Sequence, residues 1–225
     1  RADKIHIIEH GTPCPELADQ KSARNALGLK EDDFVFLILG FIHVLKNHHT
    51  TLLAFNLMQN NGKVKLLIAG KASGDKWYNK IYIRLLKLLV FINQNVIFHD
   101  RFIPDSSMSS YLAAANVLLL PYWQKYPSAS GIFHLGIGSK INVLCSDSIK
   151  FSAVKEHLHD HGEQVFVPML NIWKWRNAMT NLVENKSSQK EVHHLLQEYA
   201  RKTSWENIAR EHAILYEEVV RSIAD

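Results

Sequence analysis

Short runs of apolar residues, separated by segments with helical spacing, constrain the fold of this chain more than any other feature. The clearest run covers residues 33–39 and is followed by Gly40, and a second covers residues 64–69 and is followed by Gly70. Uninterrupted apolar runs of this length fit strands that are buried on both faces of a parallel sheet. Further strands are predicted at residues 4–10, 96–99, 117–120, 141–145 and 164–167.

The segments between the predicted strands carry apolar side chains at helical spacing. Helices are predicted at residues 19–27, 50–58 and 77–90, again after Pro104, after Ser130 and from residue 171 onwards. Strands and helices that alternate about six times predict an α/β fold with a doubly wound, Rossmann-like parallel sheet and C-terminal helices. Ligands of such sheets bind at the carboxyl ends of the strands.

The domain organisation predicted from the sequence is one domain over residues 1–202 followed by a C-terminal helix over residues 203–225. Residues 203–206, with the sequence Thr-Ser-Trp-Glu, match a capping box. Apolar residues then recur at i, i+3, i+4 spacing, so we expect the last helix to pack along its whole length. The abrupt start at Arg1 leads us to expect a fragment of a longer protein.

Composition excludes several classes of function. No apolar run reaches the roughly 18 residues that a membrane helix needs, and the net charge of +4 is too small to argue for a nucleic-acid partner. The cysteines, Cys14 and Cys145, lack metal or disulfide spacing, which favours free thiols in a reducing, cytoplasmic compartment. Motifs for dinucleotide binding, P-loop NTPases and serine hydrolases are absent from the sequence.

The histidines, thirteen in number, suggest two local hypotheses. His157 and His161 could share a helix face and bind a metal, but a solvated polar segment explains this spacing better, and we predict no metal site. The adjacent pair His48 and His49 is predicted to lie on the surface.

The best candidate site follows the predicted strand at residues 117–120. A turn rich in small residues leads through Ser130 and Gly131 into an apolar helix. The first N–H groups of a helix have no partner within it, and the helix dipole is positive there, so this turn suits a phosphate group. Lys46, which follows Gly40, is a second candidate because its ammonium could neutralise a phosphate.

The predicted helix at residues 77–90 carries Lys80, Arg84 and Lys87 along one side. A basic stripe of this kind could touch a membrane surface. A solvated helix face is the more common explanation.

Taken together, these segments resemble the C-terminal, donor-binding domain of GT-B glycosyltransferases, in particular the retaining family four. The likeness covers nearly the whole chain, and it depends on the order and spacing of the segments more than on any single motif. The matching segments are residues 7–11, 39–40, 46–47, 67–70, 96–103, 111–122, 130–132 and 205–216.

The resemblance implies an enzyme that transfers a hexose from a nucleotide-diphosphate sugar of the UDP or GDP type, without a further cofactor, in polysaccharide biosynthesis. It implies an acceptor glycan or lipid bound by a missing N-terminal domain, and a cytoplasmic protein at the inner face of the membrane. The implied diphosphate-binding residues are Gly40, Lys46, Ser130, Gly131 and Ile132. The implied base-binding or sugar-binding residues are Gly70, Lys71, Phe102, Ile103, Tyr122, Ser128 and Leu135.

The sequence departs from the family pattern at four positions. Pro127 and Leu135 stand where the family carries two glutamates, Phe41 replaces a basic residue, and Lys140 replaces a glycine at a helix end. Leu135 cannot accept the hydrogen bonds of ribose hydroxyls. Two alternatives therefore stay open: a degenerate donor-like domain that acts as a binding or scaffolding module, and a different sugar-nucleotide enzyme such as an epimerase.

Overall fold

The computed structural model describes residues 5–60, 62–73, 76–124, 126, 128–185 and 189–224. Across these residues, six parallel strands form a sheet in the order β3-β2-β1-β4-β5-β6, the arrangement of a doubly wound fold. The strands are β1 (Phe34–Leu39), β2 (Val64–Gly70), β3 (Val96–Asp100), β4 (Val117–Leu120), β5 (Asn142–Ser146) and β6 (Phe166–Val167).

Helices cover both faces of the sheet because successive side chains of each strand point to opposite sides. Val35 and Leu37 face one apolar cluster, and Phe36 and Ile38 face another. The described helices are α1 (Gln20–Ala26), α2 (His48–Asn56), α3 (Trp77–Phe91), α4 (Asp105–Ala114), α5 (Gly131–Gly138), α6 (Ser152–Leu158), α7 (Ile172–Glu184), α8 (Gln189–Lys202) and α9 (Trp205–Ala224). None of them is long and apolar enough to cross a membrane.

The two clusters assign the helices to the two faces of the sheet. The first cluster takes side chains from α1, α4, α5, α6 and α8. The second takes them from α2, α3 and α7, with Trp175 and Leu86 fully buried. The strand order reverses between β1 and β4, where Phe36 pairs with Val117, so a crevice is expected above this point.

The predicted strand at residues 4–10 is wrong for the part that the structure describes. Residues 5–10 have no regular secondary structure, and Lys4 lies outside the described residues. Ile5 is 71% exposed and Ile7 is 89% exposed, so the alternating pattern has no core to face. The other predicted strands are confirmed, with bounds that differ by at most two residues.

His48 is also placed wrongly by the sequence prediction. It is the first residue of α2 and is buried, and this burial lowers its pKa to about 3, which keeps the ring neutral. Neighbouring residues on a helix point in different directions, so one member of a histidine pair can enter the core. His157 lies at the end of α6, where its Nε2 contacts the Leu195 carbonyl at 3.2 Å. No cluster of metal-ligating side chains occurs among the described residues.

Helix α9 packs on the domain only at its beginning. Ile208 is buried, but Ile214, Tyr216 and Val220 are exposed, so the expected packing along the whole helix is not found in the described part of the chain. The cap also differs by one residue from the prediction, because the Asn207 N–H donates to Ser204 Oγ at 3.4 Å.

Candidate functional site

Two glycines shape the carboxyl edge of the sheet. Gly40 follows β1 and has a φ of +119°, and Gly70 is the last residue of β2 and has a φ of +159°. A Cβ atom added at Gly70 would lie 1.8 Å from the carbonyl oxygen of Gly40. The two strand ends therefore approach each other more closely than residues with side chains allow.

A cavity of about 320 Å³ opens at this edge, between the loops after β1, β2 and β3 and the first turns of α4 and α5. Seven of the twelve site residues expected from the sequence line it, so the topology brings together segments that are far apart in the chain. These seven are Gly40, Lys46, Gly70, Lys71, Phe102, Ile103 and Ile132. Phe41, Asp105 and Met108 also line the cavity, although the sequence did not assign them to it.

The first turn of α5 presents backbone donors beside this cavity. Ser130 caps the helix, since its Oγ accepts a hydrogen bond from the Phe133 N–H at 3.3 Å and contacts the Tyr122 hydroxyl at the same distance. The Ser130 side chain is thus engaged and buried. The N–H groups of Gly131 and Ile132 have no hydrogen-bond acceptor among the described residues. These two amides are the free donors at the positive end of the helix dipole.

Lys46 lies across the crevice from α5 and is mostly buried. A short 3-10 turn, Val44–Lys46, is followed by Asn47 in a left-handed conformation, and the Asn47 amide donates to the Met169 carbonyl at 2.7 Å. The Lys46 ammonium sits 3.7 Å from the centre of the Tyr122 ring. Burial, with a smaller effect from Lys150, lowers the pKa of Lys46 to about 8. A poorly hydrated cation of this kind gains from any anion that binds beside it.

Lys150 is a second cation at the same place, and the sequence analysis missed it. Its ammonium lies 5.7 Å from the centre of the Tyr122 ring, donates to the Ala129 carbonyl at 3.1 Å and also contacts the Ser128 hydroxyl. Burial lowers its pKa. Among the described residues, neither Lys46 nor Lys150 forms an ion pair with a carboxylate.

A signal for Lys150 was present in the sequence. It lies four positions beyond Ser146, the last residue of β5. Ligands of a doubly wound sheet bind where its strands end, so the position of Lys150 after β5 is itself an indication of a site residue. Asp147, which the same reasoning points to, is instead paired with Lys155.

A larger cavity of about 640 Å³ adjoins the first one along α5. Leu135 and Gly131 line it from α5, while Asp105, Ser109 and Glu16 line it from other segments. Acidic side chains therefore line this second cavity, although no aspartate or glutamate lies close in sequence to the turn at Ser130 and Gly131. Carboxylates accept hydrogen bonds from hydroxyl groups, which Leu135 cannot do.

Three of the expected residues, Ser130, Tyr122 and Ser128, line neither of these cavities, and one position of the family pattern lies outside the described residues. Tyr122 is 3% exposed, and the face of its ring contacts the Lys46 ammonium. Ser128 lines a separate hollow of about 250 Å³ with Trp123 and Tyr126. Pro127, where the family carries a glutamate, is not among the described residues.

The N-terminal segment is tied to α5 by a chain of hydrogen bonds. The Thr203 hydroxyl donates to the Tyr199 carbonyl. It therefore accepts a hydrogen bond from the Thr12 hydroxyl, at an oxygen–oxygen distance of 2.7 Å. The Thr12 hydroxyl in turn accepts from the His134 Nδ1–H at 2.7 Å. Burial and the nearby His10 lower the pKa of His134 to about 4, which keeps the ring neutral. His10 stacks on His134 with a centroid separation of 4.7 Å. This network places His10 beside the start of α5.

Comparisons with known proteins concern the family and the fold of this chain. The sequence pattern of the family described as glycosyl transferases group 1 matches residues 19–203. A search of curated protein sequences gives no significant match. Sucrose-phosphate synthase from Thermosynechococcus elongatus shares the fold with a TM-score of 0.77 and 19% identity, over 96% of this chain and 53% of that chain. Anabaena HepE in complex with UDP shares it with a TM-score of 0.80 and 16% identity, over 97% and 58% of the two chains.

A trehalose-phosphate synthase from Burkholderia vietnamiensis has the same fold, with a TM-score of 0.71 and 11% identity, over 91% of this chain and 47% of that chain. Identities this low establish the fold and nothing finer. The chain spans about half the length of these three proteins.

Proposed function

Because the chain belongs to the glycosyl transferases group 1 family, we propose that it is a donor-binding domain that holds a nucleotide-diphosphate sugar for transfer of the sugar to an acceptor. The observation that carries the proposal is that two lysine ammoniums, those of Lys46 and Lys150, lie by the Tyr122 ring close to the start of α5, whose first amides have no acceptor among the described residues. Two partly desolvated cations and a helix N-terminus form a site for an anion with more than one negative charge.

The diphosphate is proposed to lie between Lys46 and the N–H groups of Gly131 and Ile132. Transfer of the sugar leaves negative charge on the departing nucleoside diphosphate, and preorganised cations and amide dipoles stabilise that charge. The positions of Lys46 and Lys150 support the proposal that the protein's own side chains supply this stabilisation. Gly40 and Gly70 contribute by letting the backbone approach the phosphates closely.

The nucleoside is proposed to occupy the adjoining cavities. Phe102 and Phe41 are exposed beside the first cavity and offer apolar surface to a base. Glu16 and Asp105 offer carboxylate oxygens to ribose hydroxyls, a role that Leu135 cannot fill. HepE crystallised with UDP and with UDP-glucose has the same fold, which supports a UDP-type donor, with GDP as the second candidate.

The acceptor, a glycan or a lipid, is proposed to bind through a part of the protein that this chain does not contain, in the cytoplasm and as a step of polysaccharide synthesis. The alternative of an inactive binding module gains no support from the family match, and the family is one of transferases rather than epimerases. The missing family glutamates were the reason for considering an inactive binding module. Glu16 and Asp105, from other parts of the sequence, bring carboxylates to the same cavity, which weakens that reason.

Calorimetric titration of the whole chain with UDP, GDP, UMP and uridine tests the proposal. We expect UDP or GDP to bind more tightly than UMP, and uridine to bind weakest, because the β-phosphate carries the charge that the lysines recognise. Lys46→Met should remove the advantage of UDP over UMP, whereas Lys21→Met, an exposed lysine on α1, should leave it unchanged. No binding by any nucleotide, with the fold intact by circular dichroism, would overturn the proposal.

A further inference from the structure

Helix α3 has two apolar faces, and only one of them is used by the fold. On the inner face, Leu86 is buried, and Tyr82, Ile83, Leu89 and Val90 pack on the second apolar cluster. A surface helix of a globular domain normally carries polar residues on the side opposite its core face. The outer side of α3 does not follow this rule.

The outer face is a continuous stripe of large apolar side chains. Trp77 is 73% exposed and Phe91 is 91% exposed, at the two ends of the helix. Their spacing of three or four positions aligns the members of the stripe on one side of the helix. The members, which we call the α3 stripe, are Trp77, Ile81, Leu85, Leu88, Phe91 and Ile92.

Positive charge borders the α3 stripe. Lys80, Arg84 and Lys87 are exposed along one side of the helix, and Lys76 precedes its first residue. Residues 77–91 contain no aspartate or glutamate. Lys87 forms an ion pair with Asp100 at 2.7 Å, whereas no ion pair is found within the described part of the chain for Lys76, Lys80 or Arg84.

From this pairing of surface features we propose that α3 lies in the surface of an anionic lipid bilayer. Apolar side chains on one face with lysine and arginine at its border characterise helices that lie in the plane of a membrane interface. The long stems of Lys80 and Arg84 can keep their charges at the headgroups while the leucines enter the acyl region. The absence of acidic residues from the helix matches the negative surface potential of such membranes.

The length and position of α3 fit this role. Its 15 residues span roughly 22 Å at 1.5 Å per residue, enough for four turns to lie flat. The cavity at the carboxyl edge of the sheet is lined from α4, α5 and the strand-end loops, so membrane contact through the outer face of α3 does not cover it. The inference rests on the α3 surface and is independent of the proposed sugar transfer.

Flotation of the whole chain with lipid vesicles tests the inference. Vesicles of equimolar phosphatidylcholine and phosphatidylglycerol should carry the chain to the top of a gradient, and vesicles of phosphatidylcholine alone should carry much less. Leu85→Ser with Leu88→Ser should weaken partitioning at least roughly tenfold, since exposed leucines are lost from the bilayer contact. Lys80→Gln with Arg84→Gln should weaken it roughly thirtyfold, from about 1 kcal/mol for each basic residue.

A matched pair on the other face of the sheet provides the control. Lys21→Gln with Lys30→Gln removes the same number of exposed charges from and beside α1 and should not change vesicle binding. Equal flotation of the wild type and both α3 variants would overturn the inference, as would a failure of the wild type to bind either vesicle. Dimerisation that needs Leu85 and Leu88, without vesicle binding, would also overturn it, because a second copy would then cover the stripe.

Discussion

Replacing Lys46 by methionine should raise the stability of the unliganded chain and weaken its binding of a nucleoside diphosphate. Methionine has a similar length and no charge to desolvate. The prediction follows from the low pKa of Lys46, about 8, in the folded state. It separates the role of Lys46 in binding an anion from any role in holding the fold together.

The size of the effect follows from the pKa shift of Lys46. Its pKa falls from 10.5 to about 8, and at about 1.4 kcal/mol per pKa unit the charged form costs the fold roughly 3 kcal/mol. This cost is the net effect of all surroundings on the ammonium, the Tyr122 ring 3.7 Å away among them. Lys46→Met should therefore raise the free energy of unfolding by up to about 3 kcal/mol at pH 7.

The pH dependence has a definite sign. The folded-state pKa of Lys46 lies below its unfolded-state value, so the ammonium destabilises the fold fully below pH 8. Between about pH 8 and pH 10.5, the folded chain releases this proton first, and the wild type gains stability relative to the variant. The advantage of Lys46→Met should therefore be constant below pH 8 and shrink above it.

Urea denaturation followed by tryptophan fluorescence at neutral and alkaline pH measures this difference. Lys71→Met is the matched control, since Lys71 lines the same cavity but is exposed, and its replacement should change stability by less than about 0.5 kcal/mol. A Lys46→Met chain that is less stable than the wild type at pH 7 would refute the reasoning, because the ammonium would then stabilise the fold.

Three further substitutions test other parts of the account. Lys150→Ala should weaken UDP binding by about tenfold in a calorimetric titration, as expected for the loss of one charge-assisted contact; unchanged affinity would remove Lys150 from the site. Gly70→Ala should lower the free energy of unfolding, measured in urea, by at least about 3 kcal/mol, because the added methyl would clash with the Gly40 carbonyl. A smaller loss of stability would show that the ends of β1 and β2 are not so close. Lys140→Gly should raise the melting temperature slightly, by the equivalent of about 0.5 kcal/mol, since Lys140 has a φ of +58°; a decrease would contradict that backbone conformation.

Much of the fold was predictable because the signals for it are local. A strand buried on both faces needs apolar residues at every position, so β1, β2 and β4 stand out in the sequence without reference to their neighbours. The family resemblance also indicated the backbone conformation at Lys140. The family carries a glycine at this position, and Lys140 has the left-handed conformation that glycine adopts most readily. Residues 5–10 carry a local strand pattern too, but no strand in the described part of the chain pairs with them.

The site was only partly predictable because parallel topology assembles it from distant segments. Gly40 and Lys46 follow one strand, and Ile132 follows another, so the strand-end rule finds them. Glu16 reaches the second cavity from the segment before α1, and no spacing in the sequence connects it with Leu135. The burial of His48 was hidden for a related reason, since a helix face is defined by what packs on it.

The central claim is that a nucleoside diphosphate binds between Lys46 and the first turn of α5. Amide chemical shifts of the isotope-labelled chain, recorded during titration with UDP and with GDP, test this most directly. We predict that the largest changes for at least one of these nucleotides occur at Gly40, Gly131 and Ile132, with Gly28 and Gly162 unaffected. Saturating UDP and GDP that leave the amides of Gly131 and Ile132 unmoved would contradict the claim.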